Sequence, residues 1–347
     1  MAERGLRAQR TSPESVATPA SRTSATALRE FLSGFLRVLR ANPLTFVGFV
    51  LVLIISFVAL LVVLVPVVTQ LFLGHAVLLT PYDPNALTTD YGQPPSGSHF
   101  FGTDNLGGDV FSRILTALPL DLAIGFGITG FALLVGGGLG LVAGYWDKPG
   151  TLGGVVSVFI LRVTDVFLAF PSLVLALAIA ASLGRGTGPS MLAVLLTWWP
   201  YYVRLTRGEV LAVKNQPYIM AARAAGLSEV RILVRHVLRN LLEPLLVYYT
   251  LDIGTVLVTF STISFVGIGV PQSIPEWGGM VESYGRFLLT LPWTVLSAGG
   301  AIFVTVLAFS LFGDGLRDIL DPRSRRALVL ASVPSTMMAK AATAAEA

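Results

Sequence analysis

Long apolar runs separated by polar stretches dominate this 347-residue chain, and that alternation sets the first expectations. A helix crossing a hydrocarbon core of about 30 Å needs about 20 mostly apolar residues. Six runs approach or exceed that length: 44–73, 122–146, 166–183, 186–203, 244–270 and 287–312. The first and last hold no charged residue, and the third and fourth are joined by a glycine-rich hairpin at Arg185. The spacing therefore predicts an all-α membrane protein of six transmembrane helices. Composition agrees: 54% of residues are hydrophobic, 13% are charged, and the mean hydropathy is +0.74. Soluble domains carry about 25% charged residues.

Basic residues set the orientation, because Lys and Arg collect on the cytoplasmic side. With the N-terminus inside, segments 1–43, 147–165, 204–243 and 313–347 hold 21 of the 24 Lys and Arg residues. Only Arg113, Arg185 and Arg286 then fall outside, which predicts an N-in, C-in chain. Residues 1–42 are expected to form a cytoplasmic tail, of which 1–30 is rich in Ser, Thr, Ala and Arg and without apolar periodicity. Residues 43–323 form the membrane domain, and the Ala-rich stretch 324–347 forms a second cytoplasmic tail. Glu3 and Glu14 argue against a transit peptide, and the first apolar run starts too late and runs too long for a signal peptide.

Two polar segments carry more pattern than connectors need. The extracytoplasmic stretch 74–115 contains Tyr82-Asp83-Pro84 and the run from Phe101 to Arg113. Thr103 or Asp104 is expected to cap a short interfacial helix with Leu106, Val110 and Phe111 on its apolar face. The cytoplasmic stretch 204–243 is too long for a simple connection. It predicts two short helices, 218–225 and 229–240, with Gly226 as the left-handed cap of the first and Ser228 as the N-cap of the second. Ala221 and Ala222 leave little side-chain bulk on the first helix, so another protein's surface can approach its backbone closely.

That stretch resembles the EAA loop of ABC-importer permeases, with Ala221, Ala222, Gly226 and Leu238 in register. Met220 departs from the usual Glu of the pattern, and Arg239 from the usual Pro. The likeness extends further, to the permeases of the dipeptide, oligopeptide and nickel family. It takes in Tyr82-Asp83-Pro84 and 101–113, with Gly108 where Arg is usual, and then Arg162 to Ser172 and Ser264 to Gly269. Trp277-Gly278, 311–318 and Leu320-Asp321-Pro322 complete it, so that it runs from about residue 43 to 323. The resemblance implies the second permease of a pair, with the six-helix fold of type I importers, in a prokaryotic inner membrane. It implies a homologous permease as partner, one or two ABC ATPase subunits under the loop, and an extracytoplasmic substrate-binding protein. The substrate class it implies is peptide first, with nickel chelates or oligosaccharides as alternatives.

The remaining residues point away from covalent chemistry, cofactors and nucleic acid. There is no cysteine, which excludes disulfides, thiolate metal sites and cysteine nucleophiles, and the three histidines are scattered. No Lys follows a Gly, so the phosphate-cradling loop of ATPases is absent, and ATP hydrolysis is left to a partner. Residues 138–143 match a dinucleotide fingerprint in letters only, because they lie inside an apolar run. With Gly136 and Gly144 they read as a helix-packing stripe. Asp252 is the sole acid well inside a run, and either faces a pathway or is hydrated near the cytoplasmic mouth. Arg162 and Asp165 are expected to pair locally, and the aromatic cluster 198–202 reads as an interface belt rather than a substrate platform. An ion-coupled secondary transporter would need more ionisable groups at mid-membrane. A membrane hydrolase would need a nucleophile and a base within reach.

Overall fold

The computed structural model describes Leu39, residues 42–86 and residues 88–320. The two tails, apart from Leu39 and Asn42, and the Asp321-Pro322 motif lie outside the described residues. Nine helices carry the described fold. They are α1 (Pro43–Leu73), α2 (Val110–Tyr145), α3 (Leu152–Leu168), α4 (Ser172–Leu183), α5 (Thr187–Lys214), α6 (Pro217–Ala224), α7 (Glu229–Phe265), α8 (Trp277–Gly285) and α9 (Pro292–Leu320). Each of α2 and α7 contains one π turn, at Ala132–Gly136 and Leu233–Val237. No strand occurs among the described residues.

Helices α1, α2, α7 and α9 are long and apolar enough to cross a membrane, and α3 with α4 make a fifth candidate bent by 84°. The bend has a local cause. Pro171 has no amide hydrogen and disfavours helical geometry at Phe170, so the apolar run 166–183 cannot be one straight helix. Helix α5 has 28 residues, but Arg204, Arg207, Glu209 and Lys214 make its second half more polar.

Several boundaries differ from those that the apolar runs predict. The second span starts at Val110 and not near 122, and there is no separate interfacial helix. Gly102 and Gly107, with φ of +69° and +80°, break the backbone there, and the Asp109 carboxylate caps α2 by accepting the Ser112 N–H at 2.8 Å. Asp104 instead accepts the N–H groups of Leu106 and Gly108 within its own turn. Helix α5 continues to Lys214, well past the expected end at 203. The second predicted loop helix, 229–240, runs unbroken through Pro244 into α7. Prolines are tolerated inside spanning helices because neighbours satisfy the freed backbone groups. Helix α7 stops at Phe265, short of 270, before the left-handed Gly267 (φ +85°).

Helix α7 sits at the centre and touches α2, α5, α8 and α9, while α1 packs along α9 and α2. One buried cluster joins α1, α2, α7, α8 and α9 around Val110, Leu257, Trp277 and Phe309. A second joins α2, α4, α5 and α7 around Ile128, Ala180, Trp198 and Phe260. Between α2 and α5 the glycine stripe does what its spacing implies. A Cβ on Gly136 would collide with the carbonyl of Trp199, one on Gly140 would stand 2.5 Å from the Val203 carbonyl, and one on Gly144 2.8 Å from the Val210 Cβ. Helix α1 leaves Leu53, Phe57, Val67 and Phe72 exposed, a surface suited to lipid.

Candidate functional site

Helix α6 is the first half of the expected loop, and its sequence explains both of its ends. Pro217 occupies the first turn, where a missing amide hydrogen costs nothing. The C-terminus closes with the Leu227 N–H on the Ala222 carbonyl at 3.2 Å and the Gly226 N–H on the Arg223 carbonyl at 2.9 Å. That is the paired bonding of a Schellman cap, and it requires the left-handed φ of +77° that Gly226 adopts. Ser228 stands at the start of the next helix, but its side chain makes no capping bond.

The residues in register with the EAA pattern fall on different surfaces. Ala221 is exposed beside Tyr218 and Met220, which is 55% exposed. Ala222 is half-buried instead, turned with Leu227 toward the cluster of Tyr145, Val210, Ile219, Ile232 and Leu241. The expectation that both alanines form one open face is thus corrected: the helical turn between adjacent residues sends the second inward. Leu238 is also half-buried, in an apolar groove of about 260 Å³ with Leu133, Leu134, Gly137 and Leu241. Arg239 is exposed.

A polar network holds this region to the bundle. The Arg223 guanidinium meets the Glu229 carboxylate at 3.0 and 3.3 Å. The Tyr145 hydroxyl donates to the same carboxylate at 2.5 Å. Lys214 Nζ donates to the Gly144 carbonyl at 2.7 Å, and Arg207 pairs with Asp147 at 2.8 Å. None of these partners is foreshadowed by spacing, since Tyr145 and Glu229 are 84 residues apart. Only the opposite charges of Arg223 and Glu229 on either side of Gly226 offered a signal.

Deeper in the bundle, Asp252 is buried, and its Oδ2 accepts the Trp198 indole N–H at 2.7 Å and the Tyr202 hydroxyl at 3.0 Å. Asp252 thus makes a hydrogen-bonded clamp between α5 and α7, in which the buried Trp198 and Tyr202 both take part. Asp252 is not alone either. With α2 beginning at Val110, the buried Asp121 also lies within a spanning helix, where it accepts the Trp277 N–H at 3.2 Å. Asp165 pairs with Arg204 at 2.6 Å, not with Arg162. In the segment before α2, His99 Nδ1 lies 2.8 Å from Asp109 and stacks on Tyr82. No group of three or more His, Cys, Asp or Glu suited to a metal occurs among the described residues.

Comparison with known proteins bears on all of this. Residues 136–326 match the family described as binding-protein-dependent transport system inner membrane component. The probable D,D-dipeptide transport system permease protein DdpC of Escherichia coli (strain K12) is 40% identical over 247 residues, covering 71% of this chain and 81% of that protein. The dipeptide transport system permease protein DppC of Alkalihalophilus pseudofirmus is 40% identical over 233 residues, 67% of this chain and 75% of its own length. The glutathione transport system permease protein GsiD of Escherichia coli O6:K15:H31 is 38% identical over 237 residues, 66% of this chain and 74% of its own. Among solved structures, an inward-facing form of the MetNI methionine ABC transporter shares the fold. Its TM-score is 0.50 at 17% identity, over 60% of this chain and 96% of that one.

Proposed function

Since the chain belongs to the binding-protein-dependent transport system inner-membrane components, and is thus a multi-pass ABC-importer permease subunit and not an enzyme, we propose that it passes short peptides. The substrate class is supported by the dipeptide and glutathione permeases among its relatives. The pathway then has two walls, one from this chain and one from a homologous permease. An extracytoplasmic binding protein delivers the peptide, and one or two ATPase subunits dock below.

We propose six spans, α1, α2, the bent pair α3–α4, α5, α7 and α9, with both termini in the cytoplasm. The distribution of basic residues supports this orientation, with 21 of 24 on one side. It puts α6 in the cytoplasm, where we assign it as the helix that the ATPase grips. The observation that carries the assignment is the two-sided character of α6: Ile219 is fully buried while Tyr218, Met220 and Ala221 face outward.

The test is co-purification of the ATPase subunits with Ala221→Glu and Gly226→Val variants. A charge at Ala221 would be buried without a counter-charge on docking. Release of the ATPases with the permease still in the membrane is expected, and wild-type recovery of both variants would contradict the assignment. Met220→Glu, which restores the usual residue of the pattern at an exposed position, is expected to keep the ATPases bound. For the substrate, uptake driven by the cognate binding protein should be competed by di- and tripeptides. Competition by nickel chelates or oligosaccharides alone would replace the peptide reading.

A further inference from the structure

We propose that Glu229, clamped between Arg223 and Tyr145, is the positioning residue through which α6 moves α2 and α7. This deepens the reading of α6 as the docking helix and rests on it.

Helix α6 is tethered at few points. Ile219 is its one fully buried side chain, a peg in the cluster around Val210, Ile232 and Leu241. Ala222 and Leu227 add half-buried contact beside it. Apolar contact is non-directional. It holds the helix against the bundle without fixing its angle or its lateral position.

The polar contacts are directional. Arg223 reaches Glu229 through two of its nitrogens, the geometry that fixes orientation as well as distance. The same carboxylate takes the Tyr145 hydroxyl, which also lies 3.1 Å from the Glu229 backbone carbonyl. Three elements therefore converge on one side chain: Arg223 from α6, Glu229 from the start of α7 and Tyr145 from the end of α2. Lys214, at the end of α5, is bonded to Gly144 next door, so both ends of the α6 segment are tied to the same end of α2. A displacement of α6 then acts on two spanning helices at once.

Stability is a poor account of this arrangement. The Arg223 and Glu229 side chains are 40% and 53% exposed, and exposed ion pairs add little to folding. What a two-point pair on a third anchor supplies is a fixed angle, which is what a helix pushed from below needs if its motion is to reach the spans.

The experiment uses the complete transporter in proteoliposomes and reads substrate moved per ATP hydrolysed. Tyr145→Phe and Glu229→Gln should each lower that ratio about fivefold, the scale of one lost polar contact, while the ATPases co-purify as in wild type. Arg223→Glu should lower it too, and the double variant Arg223→Glu/Glu229→Arg should recover most of the loss. A wild-type ratio in both Tyr145→Phe and Glu229→Gln would overturn the proposal, as would a double reversal no better than the single. Loss of the ATPases from Tyr145→Phe would also overturn it, because the network would then hold the docking surface rather than transmit from it. The docking reading fails instead if Ala221→Glu and Gly226→Val both keep the ATPases as in wild type, so the two readings can fall separately.

Discussion

At Gly226 nothing lies within 4 Å of the place a Cβ would occupy, yet the backbone φ is +77°. Any penalty for substitution there is conformational, not steric. Asn visits the left-handed region readily, whereas a β-branched residue does so at a cost of about 1–2 kcal/mol or more. Gly226→Asn should therefore keep ATPase binding, and Gly226→Val should lose it, as read by subunit recovery on purification. Asp252 gives a second contrast. Asn can accept the Trp198 and Tyr202 donors through its amide oxygen, so Asp252→Asn should leave thermal unfolding in detergent nearly unchanged. Asp252→Leu orphans both donors in the bundle interior and should cost about 2–5 kcal/mol in the same measurement. Residues of these two kinds differ in legibility. Gly226 was readable because a cap lies between its own neighbours in sequence. The Tyr145 contact to Glu229 and the Asp252 clamp were not, because each depends on which faces of distant helices meet.

Single elements show where hydropathy stops being informative. It locates apolar stretches and ignores polar helix that continues beyond them, which is why α5 runs past the predicted end into Arg204, Arg207 and Lys214. It equally overlooked the first turns of α2, where Ser112 and Arg113 dilute the apolar run. The glycine stripe was legible because spacing by four marks one face of a helix, and the close approach of α5 agrees with it. The stripe also makes a controlled prediction. Gly140→Ala forces the α2–α5 backbones apart and should destabilise by about 1–3 kcal/mol. At Gly138 a Cβ meets nothing within 4 Å, so Gly138→Ala should be neutral or slightly stabilising. Comparing the two in thermal denaturation separates packing from helix propensity.

For the whole molecule, the charge distribution makes the orientation testable without the partners. Ser96, Ser228 and Ser273 are all exposed, and the chain has no cysteine of its own. Single cysteines at 96 and 273 should react with an impermeant thiol reagent added outside intact cells, and one at 228 should react only after permeabilisation. Labelling of residue 228 in sealed cells would invert the topology. The claim on which everything else depends is that ATP hydrolysis in a partner reaches the spans through α6. ATP-dependent uptake of a labelled dipeptide, measured in proteoliposomes holding both permeases, the ATPases and the binding protein, tests it most directly. Wild-type vesicles should accumulate the peptide only with ATP, and those carrying Gly226→Val should not. Undiminished uptake by Gly226→Val, or uptake that needs no ATPase, would contradict it.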